Sequence, residues 1–187
     1  PIVGGLTAFG VASLVGEPVS VFVTSIGTFI ETATTYQPFI MGIVIAVVMG
    51  MALTAPISSA AIAISIGLSG IAAGAALVGG AVQMIGFAVM SRKDNSLGVV
   101  LSVAFGTSML QFKNILRKPI IWLPTIITSA ILGPVSTLVF KMQTLPAGAG
   151  MGTSGLIGQI TTLDAMPSEV NTFLGIGLLH FVLPILF

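Results

Sequence analysis

Sixty consecutive residues, 32–91, pass without one charged side chain. A bilayer crossing takes about 20 predominantly apolar residues, so this run has room for up to three. The rest of the chain agrees with it. Of 187 residues, 55% are hydrophobic and 6% charged, with a mean hydropathy of +1.15, where a typical soluble domain carries roughly 25% charged residues. We read an all-α polytopic membrane protein whose first partner is the lipid bilayer. Six basic against five acidic residues leave a net charge of +1, which gives no electrostatic footprint for nucleic acid. The absence of cysteine excludes disulfides, zinc–thiolate centres and iron–sulfur ligation. The nine methionines fall without ligand spacing, so no metal and no cofactor is expected.

Proline, glycine and charge divide the chain. Residues 2–15 are apolar and lack the basic start and cleavage site of a signal peptide, and they read as a membrane segment cut short. Glu17 and Pro18 end it; the chain end at Phe187, inside another apolar run, reads the same way. Residues 19–30 are expected to form a short polar-lined or interfacial helix, with 32–37 as its loop. An apolar helix over 39–53 stops at Thr54-Ala55-Pro56, because proline biases its predecessor away from the α region. A shorter Ser/Ala-rich piece, 57–68, precedes a span over 71–90. Gly70, Gly74, Gly79 and Gly80 give that span small faces for close packing.

Arg92 to Asn95 form the first aqueous loop. The next apolar piece, 97–110, would reach about 21 Å as a helix, short of a roughly 30 Å hydrocarbon core. Basic residues flank it on both sides, Arg92 and Lys93 before, Lys113, Arg117 and Lys118 after. The positive-inside rule therefore puts both ends on the cytoplasmic side, with the piece re-entrant or interfacial. Residues 119–140 form a span broken near Pro134, with Trp122 as an interface anchor. A glycine-rich stretch, an apolar segment over 156–163, an acidic loop holding Asp164 and Glu169, and the start of a last apolar helix over 173–187 complete the chain.

The glycine-rich stretch, 146–158, holds Gly148, Gly150, Gly152, Gly155 and Gly158 and no charge. Each glycine costs about 1 kcal/mol against alanine in a helix interior, so this is not ordinary helix. Irregular uncharged backbone at membrane depth is tolerated where protein buries it or where it lines a water-filled cavity. A phosphate loop would need a preceding strand and a Gly-Lys-Ser/Thr ending, both missing here. A pore or binding loop, or a filter of backbone carbonyls, fits better.

Two parts of the chain repeat the same order of features. Gln37-Pro38-Phe39-Ile40 opens a helix ending in Ala55-Pro56-Ile57-Ser58-Ser59, followed by Gly79-Gly80-Ala81-Val82-Gln83. Lys118-Pro119-Ile120-Ile121 opens another ending in Gly133-Pro134-Val135-Ser136-Thr137, followed by Gly155-Leu156-Ile157-Gly158-Gln159. The first unit runs from beside Glu31 to Arg92, the second from Lys118 to Asp164, so their flanking charges are reversed. We read one membrane domain, 1–187, with two inverted repeats, about 37–91 and 118–165, containing broken or re-entrant helices and joined by 97–110. Such pairs place a substrate site where the interrupted segments meet.

The matched polar positions are Ser58, Ser59 and Gln83 in one unit, and Ser136, Thr137 and Gln159 in the other. Gly150, Gly152, Thr153 and Ser154 join them from the glycine stretch. Hydroxyls, amides and bare backbone donate and accept hydrogen bonds without charge, which suits a small neutral polar solute. Each alone is more often a helix-bonded hydroxyl or an interhelical amide than a ligand contact. No catalytic acid or base stands among them. His180 and Glu31 are the candidates for proton coupling, His180 because an ionisable group in a membrane run is a functional candidate.

Several runs together resemble one known family: Gln37-Pro38-Phe39-Ile40-Met41-Gly42, Met51-Ala52-Leu53-Thr54-Ala55-Pro56-Ile57-Ser58-Ser59, Gly106-Thr107-Ser108-Met109-Leu110-Gln111, and Pro146-Ala147-Gly148-Ala149-Gly150-Met151-Gly152-Thr153-Ser154-Gly155. The chain resembles the second EIIC-type family of the phosphotransferase system, which includes the perfringolysin regulatory membrane protein. The resemblance implies an EIIC-like transporter fold in a bacterial plasma membrane, with further helices before Pro1. The Gly-Ile-Thr-Glu-like motif of glucose-type EIIC proteins does not occur, so no catalytic or sugar-binding residue carries over. We expect a non-enzymatic, multi-pass permease for a neutral polar solute such as a sugar, working by alternating access. The alternative is a membrane regulatory or sensor protein that binds a solute or partner without transporting it. A second copy of the chain is a candidate partner in either case.

Overall fold

The computed structural model describes Val21, Ser25 and residues 28–186. The expected opening segment 2–15, the Glu17-Pro18 break and most of 19–27 lie outside the described residues. Within them the chain is helical, with no strand. Residues 28–36 lead into α1 (Pro38–Thr54), α2 (Ser59–Ser65) and α3 (Gly70–Ser91). Then come α4 (Leu97–Phe105), a 3-10 turn Ser108–Gln111, α5 (Phe112–Arg117) and α6 (Pro119–Phe140). The short α7 (Pro146–Ala149), α8 (Ile157–Ala165) and α9 (Val170–Leu186) close the described chain. Among the described residues two helices, α3 and α6, are long and apolar enough to cross a membrane by length and composition, and α1 and α9 are shorter apolar helices.

α3 is the axis of the molecule. From Ala72 to Ile85 every residue is buried, on all sides and not on one face, as expected of a helix surrounded by other helices. Its small residues explain how so many neighbours fit. A Cβ at Gly79 would overlap the Ala46 carbonyl of α1, and one at Gly74 would overlap the Met142 carbonyl. The glycines at 74 and 79 therefore set how closely the neighbouring backbones approach.

Contacts fix the helix directions. Ala46, Gly50 and Thr54 meet α3 at Gly79 and Gln83 in ascending order, so α1 and α3 run the same way, and α2 brings the chain back between them. The Thr137 hydroxyl donates to the Pro38 carbonyl at 2.8 Å, and Gly133 lies on Gly42, so α6 runs against α1. α8 starts with Gly158 on Leu77 and ends where Met166 Sδ accepts from the Gln143 N–H at 3.1 Å. Gln143 follows the Met142 that packs on Gly74, so α8 also runs against α3.

The proline breaks appear where the sequence places them. α1 starts on Pro38 and ends before Ala55-Pro56, and α6 changes after Pro134 to a π-helical turn, Val135–Phe140, because that proline has no N–H for the regular ladder. The expected loop 32–37 is helical to residue 36. Its polarity misled, because the Thr34 and Thr35 hydroxyls bond back to the Ile30 and Glu31 carbonyls inside a helix. Asp164 likewise belongs to α8, and the acidic loop shrinks to the residues around Glu169, which precedes α9 at Val170.

Candidate functional site

Gln83 projects from the middle of α3 and is fully buried. Its Oε1 lies 3.2 Å from the Thr54 hydroxyl, 3.0 Å from the Trp122 indole N–H and 3.0 Å from the Thr125 hydroxyl. Thr54 in turn is 2.9 Å from the Ser108 hydroxyl. One amide thus ties α1, α3, α6 and the 3-10 turn together. The cluster is rich in donors, since a carbonyl oxygen offers two lone pairs. Gln83 Nε2, by contrast, is buried with no hydrogen-bond partner. A buried donor left in that state costs about 1–3 kcal/mol, and a hydroxyl or carbonyl oxygen brought to it would recover that cost.

The glycine-rich stretch lies against the other faces of the first unit. The Ser59 hydroxyl donates to the Gly150 carbonyl at 2.6 Å, Gly152 sits on Gly80, and the fully buried Thr153 donates to the Ala104 carbonyl, with Met84 Sδ 3.5 Å away. Gly152 at φ 55° and Gly155 at φ 54° occupy the left-handed region, as does Leu156 at φ 59°. At Gly150 and Gly152 backbone meets backbone so closely that a Cβ would clash. The glycines work here as contact points that seat an irregular segment on α2 and α3, and in this conformation the seam between them is closed.

A second buried amide sits on α8. Gln159 Nε2 lies 3.2 Å from His180 Nδ1. With the amide in this orientation its nitrogen donates and Nδ1 accepts, which corresponds to the tautomer with the ring proton on Nε2. His180 Nε2 and Gln159 Oε1 are both buried without a partner. His180 stands on a π-helical turn, Leu178–Val182, and Ser136 and Thr137 stand on the π-helical turn of α6. Such turns inside α-helices are frequent at functional sites. Ser136 Oγ is also buried and unpartnered, while Thr137 is engaged with Pro38.

These buried, uncharged polar groups inside apolar helices fit a protein that handles a polar molecule within a membrane. Over residues 1–187, the entire sequence, the chain matches the family described as Phosphotransferase system, EIIC. The chain belongs to the phosphotransferase-system EIIC family. It is a membrane component of that system. No curated protein and no solved structure matches it.

In this EIIC chain, some of the positions expected from the sequence fall into three groups, and Ser58, Ser136, Thr137, Ser154 and Glu31 stand apart from them. Ser59, Gly150, Gly152 and Thr153 meet at the glycine seam. Gln83 belongs to the Thr54–Ser108–Trp122–Thr125 cluster, and Gln159 to His180. Ser58 is exposed and caps α2, its hydroxyl accepting from the Ala61 N–H at 3.2 Å. Ser154 is partly exposed at the start of a 3-10 turn. Glu31 is exposed, accepts from Ser69 at 3.3 Å, and lies beside Gly70 at the start of α3; a carboxylate there favours the positive end of the helix dipole. Sequence reasoning missed Thr54, Ser108, Trp122 and Thr125. Trp122 is the sole tryptophan; its place beside the basic loop points to an interface anchor, and its bond to Gln83 adds a partner that the sequence does not show.

Proposed function

We propose that this EIIC chain is a permease that moves a neutral, hydroxyl-rich solute of the sugar class across a bacterial plasma membrane by alternating access. It does no bond chemistry itself. The observation that carries this reading is the set of buried uncharged groups left with unmet hydrogen-bonding capacity, Gln83 Nε2, Gln159 Oε1 and His180 Nε2. Together they offer donors and an acceptor, as a polyol requires. His180, on its π-helical turn, is the interior candidate for coupling; Glu31 is the outlying one.

The helix directions support an inverted pair. In the unit 37–91, α1 and α3 run one way with the short α2 between them. In the unit 118–165, α6 and α8 run the other way with the short α7 between them. The connection 97–110 supports a re-entrant reading, since Ala104 reaches the level of Thr153 and Met84 while both its ends lie beside the basic loops. We assign the substrate-binding role to Gln83, Gln159, Ser59, Ser136, Thr137, Gly150, Gly152 and Thr153, with Ser58 and Ser154 at its edges.

Counter-flow uptake of labelled hexoses and hexitols into proteoliposomes tests the proposal. Saturable flux is expected, reduced at least tenfold by Gln83→Ala and by Gln159→Ala. Ligand-dependent thermal stabilisation without flux for any sugar of the panel would instead identify a sensor, and normal flux in both variants would remove the two amides from the site.

A further inference from the structure

A cleft of about 420 Å³ opens beside the C-terminal end of α3, within the roughly 300–1,000 Å³ range of small-molecule sites. Its polar lining comes from Ser91, Asp94, Asn95, Gln111 and Asn114. The rest of the wall is mainly apolar, with Phe87, Ile121 and Pro124 prominent. Gln111 is 8% exposed, and its Oε1 accepts from the Asn114 amide at 2.8 Å, which fixes two of the amides relative to each other. Asn95 is held by its own bond to the Ser91 carbonyl at 3.0 Å. The polar side chains are thus set on two structures, the α3 end and the 3-10 turn with α5, that face each other across the gap.

We propose that this cleft binds the neutral polyhydroxylated solute at the loop end of the molecule, as a station separate from the buried Gln83 and Gln159 groups. The proposal rests on the permease reading and adds a site to it. One carboxylate and three amides supply acceptors and donors for adjacent hydroxyls, and the apolar wall matches the C–H face of a sugar ring. Although Arg92, Lys93 and Lys113 are near in sequence, no basic side chain lines the cleft. An anionic ligand would therefore meet Asp94 without a counter-charge. Ile121 precedes Trp122, whose indole is bonded to Gln83, so the cleft ends one residue from the buried cluster.

That adjacency provides the readout. Trp122 is the only tryptophan, so emission of the reconstituted protein reports on this one place. Titration with glucose, mannose, fructose and mannitol, with glucuronate as the anionic comparison, is expected to give a saturable emission change for at least one neutral member and none for glucuronate. Asp94→Asn and Asn114→Ala, both at exposed positions, are expected to weaken that response at least tenfold while leaving thermal stability nearly unchanged. An unweakened response in both variants, a stronger response to glucuronate, or no saturable response to any of the sugars would overturn the proposal. Uptake measured on the same samples separates the two readings. Flux with unchanged KM in both variants removes the cleft and keeps the permease, whereas saturable emission without flux in the unsubstituted protein keeps the cleft and removes the permease.

Discussion

At the scale of single residues, Gln83 concentrates more interhelical bonding than any other side chain described above, and its two amide atoms have opposite situations. Oε1 has three donors in reach and Nε2 has no partner. Hydrogen bonds between membrane helices average about 0.6 kcal/mol, with a maximum near 1.7. Thr54→Val keeps the shape and removes one donor, so it is expected to cost under roughly 1.7 kcal/mol in a denaturation midpoint while leaving Trp122 emission unchanged. Gln83→Leu removes the acceptor of the indole N–H and is expected to shift that emission to the blue. Equal emission in the two variants would mean that the indole does not depend on Gln83. Gln83 is legible in the sequence through its place in the repeat, where it matches Gln159. Its partners were not legible, since Thr54, Ser108 and Thr125 look like ordinary helix-end hydroxyls until three distant segments converge.

At the scale of elements, proline and glycine carried most of the readable information. Pro38, Pro56 and Pro119 set helix limits through the fixed φ and missing N–H of proline, which act locally and so can be read locally. The helical run through residue 36 and the split of 97–110 into α4 and a 3-10 turn depend on where hydroxyls and neighbours fall in space. Glycine is different again, since the same residue type serves opposite ends. Gly133 touches the Gly42 carbonyl and the Ala46 side chain, whereas a Cβ at Gly98 would meet nothing within 4 Å. Gly133→Ala is expected to destabilise by about 1–3 kcal/mol through overpacking. Gly98→Ala, inside the exposed part of α4, is expected to be neutral or to stabilise by up to about 1 kcal/mol. Parallel thermal melts compare them directly, and equal shifts would show that the α1–α6 contact is not tight.

At the scale of the whole molecule, helix direction fixes which loops share a side. The end of α3 and the start of α6 meet around the cleft lined by Ser91, Asn95 and Ile120, while the start of α3 lies by Met142 at the other end of α6. The chain has no cysteine, so single cysteines can be introduced on a silent background. Asn95→Cys and Lys118→Cys are expected to react with a membrane-impermeant maleimide from one side of sealed vesicles, and Ser168→Cys only from the other. Reaction of all three from the same side would contradict this arrangement of α3 and α6. The reversed flanking charges already pointed to this in the sequence, but the direct seating of the glycine stretch on α2, α3 and α4 could not be read from composition.

The contact between α1 and α3 has a further consequence. At Ala46, Gly50 and Gly79 the two helices touch through backbone, while Leu53 and Gln83 send side chains across at the end of the contact. Where longer side chains interlock, one helix can slip past another only after rotamers on both have changed. Between Ala46, Gly50 and Gly79 there are no such teeth. Resistance to a shift of α3 along α1 therefore falls on the flanks of that backbone contact, on the side chains of Ile45, Met49 and Leu53 and on the hydrogen bonds of Thr54 and Gln83.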